Sequence, residues 1–233
     1  MDRSEQIVSE YLLHRGFRDV VYEPDGNTTP DFLIDGRIAV EVRRLNQNED
    51  TPNGHRGLEN ITIPLQAKIG ALLKTLGPSN GESWYVMYRL RRPLPAWKHL
   101  ATSLRSELLE FRNNTDRHQL TRTIAPTFHI TLIKAGKSYP DFFVPGGYAD
   151  SDSGGFVLAE LNRNIRICVM EKTKKVACAR TKYPEWWLIL VDHIGYGNDE
   201  RNHEEVHQLF QFEHSWDKIV LVNPLDATQG YEM

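Results

Sequence analysis

The chain has 233 residues, of which 40% are hydrophobic and 25% charged, and its formal net charge is -3. That balance is ordinary for a chain that folds around a buried core, and it lies well away from the disordered and membrane-embedded classes. The slight acidity supplies no overall attraction to a polyanion, so a nucleic-acid partner would have to be held by a local basic patch.

Residues 4–15 place Ile7, Val8, Tyr11, Leu12 and Leu13 at helical spacing, which predicts a first helix with Ser4 as its N-cap and Gly16 as its stop. The opening MDRSEQIVSEYLL lacks the basic and apolar regions of a secretory signal, and no apolar run approaches membrane-spanning length. A cytoplasmic location with no membrane partner is therefore expected. After an apolar run at Val20 to Tyr22 and the turn-rich EPDGNTTP come DFLID and RIAVEVRRL, which the Asp35-Gly36 dipeptide joins into a hairpin. The polar stretch from Asn46 to Asn60 reads as a loop beside it.

A second helix is predicted from Pro64 to Leu76, with Leu65, Ile69, Leu72, Leu73 and Leu76 on one face and Gly77-Pro78 as its end. SWYVMYRL is strand-like, residues 96–112 form a third predicted helix, and residues 113–155 offer one good strand, TFHITLI, within an otherwise irregular stretch. A helix over Val157 to Ala179 carries Lys172, Lys174 and Lys175. Cys168 and Cys178 lie ten residues apart along it, too far to pair with each other. WWLILVD and KIVLVNP are continuous apolar runs of the kind that form buried strands, with a short helix expected between them over 203–213. This order predicts one α/β domain built on a mixed sheet.

The hairpin carries the residues with chemical potential. Hydrolysis of a phosphodiester with a divalent cation needs convergent carboxylates as hard oxygen ligands and a cationic group near the developing phosphate charge. Asp31 opens the first strand and Glu41 sits in the second, so folding at Asp35-Gly36 brings the two carboxylates to one region. Period two puts Glu41 and Arg43 on one face, opposite Val40 and Val42. Each of these residues also has a structural reading: Asp31 as a turn residue after proline, Glu41 and Arg43 as a solvated ion pair.

TPDFLIDGRIAVEVRRL resembles the PD-(D/E)xK nuclease superfamily, with Pro30-Asp31 as the PD, nine intervening residues, and Glu41-Val42-Arg43 in place of the (D/E)xK. The resemblance implies a restriction-endonuclease-like fold, a mixed β-sheet flanked by helices in the order α-β-β-β-α-β. That core would occupy residues 1–92 of a single domain spanning 1–233, with 93–233 as C-terminal elaboration. It also implies Mg2+ or Mn2+ held by Asp31, Glu41 and the Val42 carbonyl, with Glu5 or Glu10 as an additional acidic residue. Gln66 and Lys68 match the place where some members carry a further polar catalytic residue. Arg43 occupies the family's lysine position, where it can hold phosphate charge but cannot act as a base. Lys68 is then the candidate for a lysine moved to the following helix.

The activity implied is that of a metal-dependent endo- or exodeoxyribonuclease acting on DNA, and a homodimer is compatible with it. The alternative is a nuclease-like fold that has lost its chemistry and serves as a nucleic-acid or protein interaction module. A zinc hydrolase is a third reading, because His203-Glu204-Glu205-Val206-His207 matches HExxH, although its charged surroundings equally suit a solvated helix start. Lys172, Lys174, Lys175 and Lys182, with Arg163, Arg166 and Arg180, either track a phosphate backbone or form a solvated helix face. Gly77-Pro78-Ser79-Asn80-Gly81 fits GxSxG but follows a helix, so it reads as a turn.

Overall fold

Helix α1 (Arg3–His14) begins with a reciprocal cap: the Asp2 side chain accepts from the Glu5 N–H, and the Glu5 carboxylate accepts from the Asp2 N–H. The N-cap is thus Asp2 rather than the expected Ser4, which is buried in the first turn. Gly16, with φ of 92°, lies just past the helix end, where a left-handed residue releases the chain. The structure is a computed structural model and describes residues 1–196, 207–208 and 212–233.

The chain divides into two compact units, one formed by Met1–Leu58 with Gly155–Met233 and the other by Glu59–Gly154. The stretch 1–92, expected as a continuous core, therefore contributes to both.

In the first unit, strands β1 (Val20–Tyr22), β2 (Phe32–Ile34) and β3 (Ile38–Leu45) run antiparallel in succession. The β2–β3 turn forms as Asp35-Gly36 predicts, with both residues at positive φ and Arg37 N–H donating to the Ile34 carbonyl at 3.0 Å. Strand β10 (Glu185–Asp192) then pairs parallel to β3, β11 (Lys218–Val222) parallel to β10, and β12 (Gly230–Glu232) antiparallel to β11. The sheet order among the described residues is β1-β2-β3-β10-β11-β12.

Helices cover both faces of this sheet. Val40, Val42, Trp187 and Ile189 pack with Ile7, Val8, Tyr11 and Leu12 of α1. Ala39, Leu45, Leu188 and Leu190 pack with Leu161, Ile165, Cys168 and Val169 of α4 (Val157–Val176). Burial on both faces explains why WWLILVD and KIVLV are apolar throughout rather than alternating. Leaving out a small hairpin after β3 and a 3-10 turn at Arg180–Lys182, the elements of this unit up to β10 follow the succession α1-β1-β2-β3-α4-β10.

The stretch expected as a loop after β3 instead forms a hairpin, β4 (Asn48–Thr51) and β5 (Gly54–Gly57). Its polar residues serve as anchors: Asn48 N–H donates to Asn164 Oδ1 of α4 at 2.9 Å, and Arg163 donates to the Asn48 carbonyl at 2.7 Å.

The second unit contains α2 (Glu59–Lys74), β6 (Trp84–Leu90), α3 (Trp97–Asn113), β7 (Leu120–Ala125), β8 (Phe128–Lys134) and β9 (Phe143–Asp150). Its sheet order is β7-β8-β6-β9, with β9 parallel to β6. Leu65, Ile69 and Leu73 of α2 and Leu100, Leu104 and Leu108 of α3 bury one face of this sheet against Trp84, Val86, Leu90, Phe128 and Ile130. Helix α2 begins at Glu59, so Pro64 sits inside it rather than at its start. The irregular stretch expected over 113–155 holds two strands besides TFHITLI, because β7 and β9 extend the sheet on either side of β8 and β6. The molecule is mixed α/β, and among the described residues no helix is long and apolar enough to cross a membrane.

Candidate functional site

Asp31 lies one residue before β2, where its N–H still donates to the Val40 carbonyl of β3 at 3.0 Å. Its carboxylate turns along β3 and accepts from the Val42 N–H at 2.6 Å. In a strand the N–H and C=O of one residue point to the same edge, so the Val42 carbonyl shares the edge occupied by Asp31. Glu41, between these positions, points to the α4 face and is 0% exposed. The hairpin thus brings the two carboxylates together, as the spacing predicts.

The cations that meet them come from α4. Lys172 Nζ lies 2.5 Å from Glu41 Oε2 and 3.5 Å from Asp31 Oδ2. Lys175 Nζ lies 2.9 and 3.3 Å from the two Glu41 oxygens and 3.8 Å from Asp31 Oδ1. Residues three apart on a helix are neighbours on its surface, which is why one face delivers both ammonium groups. The Thr29 hydroxyl donates to Glu41 Oε1. The loop carrying Thr29 is itself tied to the segment after α4, where Tyr183 donates to Asp25 at 3.1 Å and Lys182 pairs with the same carboxylate.

Burial alone would raise the Glu41 pKa, but the charge of Lys172 and the hydrogen bonds from Lys172, Thr29 and Lys175 outweigh it and hold Glu41 below the usual carboxylate value. Asp31 goes the other way: burial, with the adjacent Glu41 charge, raises it against the opposing pull of Lys172, Val42 N–H and Lys175. Lys175 is disfavoured as a cation by burial, yet Glu41 and Asp31 more than compensate and raise its pKa. The cluster therefore holds a firmly ionised Glu41, a more readily protonated Asp31 and a Lys175 that stays an ammonium.

Arg43 shares the Glu41 face, but its guanidinium pairs with Glu171 of α4 at 2.7 Å. Lys68 and Gln66 are exposed on α2 in the second unit, where Lys68 Nζ lies 5.9 Å from the Trp97 ring centroid. Within the first unit the helix cations at the carboxylates are Lys172 and Lys175. Glu5 is engaged in the α1 cap and accepts from Tyr22 OH at 3.0 Å, and Glu10 is exposed. The HExxH match at 203–207 and the helix expected over 203–213 fall largely outside the described residues.

The lysines expected to behave as one exposed run divide in two. Lys174 and Lys182 are exposed, whereas Lys172 is buried within the apolar stripe of Leu161, Ile165, Cys168, Val169 and Val176. That stripe is visible in the sequence at helical spacing, and a lysine inside it was the available signal for Lys172.

Two convergent carboxylates and a backbone carbonyl suit a hard divalent cation that keeps several waters. The fit is supported by the ammonium groups themselves, which take the position where the oxygens of both carboxylates converge and so stand in for a cation there. Among the described residues no group of three or more His, Cys, Asp or Glu is arranged to hold a metal ion, so a metal here would rest on Asp31, Glu41 and main-chain or water oxygens. Comparison of the chain with family models, with curated proteins and with solved structures finds no match to any of them.

Proposed function

We propose that this protein is a metal-dependent nuclease of the PD-(D/E)xK kind, hydrolysing phosphodiester bonds in DNA. The observation that carries the reading is the convergence of Asp31 and Glu41, set on a β-hairpin, upon Lys172, supplied by the helix that precedes the parallel strand beside β3. That arrangement supports a succession α-β-β-β-α-β completed by α4 and β10, in place of the α2 and β6 that follow β3 in sequence.

In this reading Asp31, Glu41 and the Val42 carbonyl would hold Mg2+ or Mn2+, which when bound activates water and neutralises phosphate charge. Thr29 fixes the Glu41 carboxylate, and Lys172 keeps Glu41 ionised inside the protein. Lys172 adds positive charge where a pentavalent phosphate would form. Arg43, joined to Glu171, braces α4 against β3.

A second reading follows from the same contacts. Two carboxylates matched by two ammonium groups form a neutral, partly buried cluster, which suits a nuclease-like fold retained as an interaction module. A cleavage screen over single-stranded, duplex and branched DNA and RNA, with Mg2+ and with Mn2+, separates the two. Cleavage that disappears in Asp31→Asn supports the nuclease; an intact wild type that cuts nothing in either metal transfers the conclusion to the interaction module.

A further inference from the structure

The two ammonium groups at the carboxylates are not equivalent. Lys172 belongs to the buried face of α4, with a side chain 10% exposed, while the Lys175 side chain is 45% exposed. Lys172 approaches one oxygen of each carboxylate, Glu41 Oε2 and Asp31 Oδ2. Lys175 spans both Glu41 oxygens and faces the other Asp31 oxygen, Oδ1. Lys175 therefore has the wider set of oxygen contacts, as a coordinated cation would, and also an open path to water.

The charges limit what the cluster can hold. Two carboxylates and two ammonium groups sum to zero, and a divalent ion added among them would face two like charges at contact distance in a poorly solvated place. Release of one ammonium relieves the conflict. Lys172 has no solvent route of comparable size, whereas Lys175 can swing outward on its flexible stem and keep its charge hydrated.

We infer that Lys175 is the site's exchangeable cation: it occupies the divalent-ion position between Glu41 and Asp31 and leaves it when a metal ion binds, while Lys172 stays. The inference rests on the metal-site reading above and adds to it a built-in competitor. The site is neutral without metal, and metal binding and Lys175 release are one event. Metal affinity is thereby set in part by a residue that does not ligate the metal.

Mn2+ titration by calorimetry tests this on the full chain, comparing wild type with Lys175→Met, Lys174→Met and the double variant Asp31→Asn, Glu41→Gln. Lys174 is exposed on the same helix, so its substitution makes the same change in net charge away from the carboxylates. Lys175→Met is expected to bind Mn2+ about tenfold more tightly than wild type, the scale of one close like-charge contact removed, and Lys174→Met to match wild type. In wild type, acylation of the Lys175 amine, followed by mass spectrometry, is expected to rise on saturation with Mn2+. Equal or weaker binding by Lys175→Met, or acylation of Lys175 unchanged by Mn2+, overturns the exchange while leaving the metal site intact. Equal binding by wild type and the Asp31→Asn, Glu41→Gln variant overturns the metal site itself, and the exchange with it.

Discussion

Lys172 Nζ meets Glu41 Oε2 at 2.5 Å although the two residues are 131 positions apart, and this contact joins the crossover helix to the centre of the sheet. Because Glu41 is fully buried, its charge depends on that partner. Removing one member of a buried pair leaves the other uncompensated, a cost of about 3 to 5 kcal/mol. Lys172→Met is expected to lower unfolding stability by about 3 kcal/mol, at the lower end because Lys175 still reaches Glu41. Urea denaturation checks it, and adding Glu41→Gln to Lys172→Met should recover most of the loss. An additive double variant would show that the contact does not hold Glu41.

On the proposed nuclease reading, the division of labour between cations predicts which substitution stops cleavage. Lys172→Gln should reduce the cleavage rate by about a hundredfold or more, the scale of a single transition-state donor. Arg43→Ala, which breaks the pair with Glu171, should cost less than about tenfold, and Lys68→Ala should leave the rate unchanged. Single-turnover rates on proteins verified as folded by circular dichroism decide it. A larger loss in Arg43→Ala than in Lys172→Gln would return the catalytic cation to β3.

The β4–β5 hairpin depends on one buried amide. Asn164 Oδ1 accepts from both the main-chain and side-chain N–H groups of Asn48, each at 2.9 Å. Asn164→Ala strands these donors and should destabilise the protein by about 1 to 3 kcal/mol. Limited trypsin digestion should then cut after Arg56 faster than in wild type. Unchanged digestion would show that Arg163 alone secures the hairpin.

His193 should make stability depend on pH. Burial, with the charge of Arg44, lowers its pKa from 6.5 to about 4. The unfolded chain then takes up the proton first, so stability is lost as pH falls from about 6.5 towards about 4. His193→Gln should flatten that slope by on the order of 1 kcal/mol, since solvent screening at this partly exposed ring reduces the full effect. Urea midpoints across that window measure it, and identical slopes in both proteins would assign the dependence to other groups.

Local signals were sufficient for the parts of the molecule whose interactions are local. The Asp35-Gly36 turn, the amphipathic stripe of α1 and the unbroken apolar runs of β10 and β11 each follow from backbone preference and burial over a few residues. Because the β2–β3 turn sets the register, the meeting of Asp31 and Glu41 was legible in the same way. The hairpin at 48–57 was not, since its polar residues find their partners on α4, more than a hundred positions away. Strands β7 and β9 are likewise defined by sheet neighbours and by only partial burial of their side chains.

The sequence by itself determined the carboxylate pair; the tertiary structure decided which cation joins it. In chain order the helix after β3 is α2, which made Lys68 the expected partner, yet α2 belongs to the second unit. The helix that packs on β3 is α4, because the buried parallel strand β10 requires a crossover that covers the Glu41 face of the sheet. Lys172 and Lys175 reach the carboxylates through that packing, and spacing along the chain carries no information about a contact made across an intervening unit of the fold.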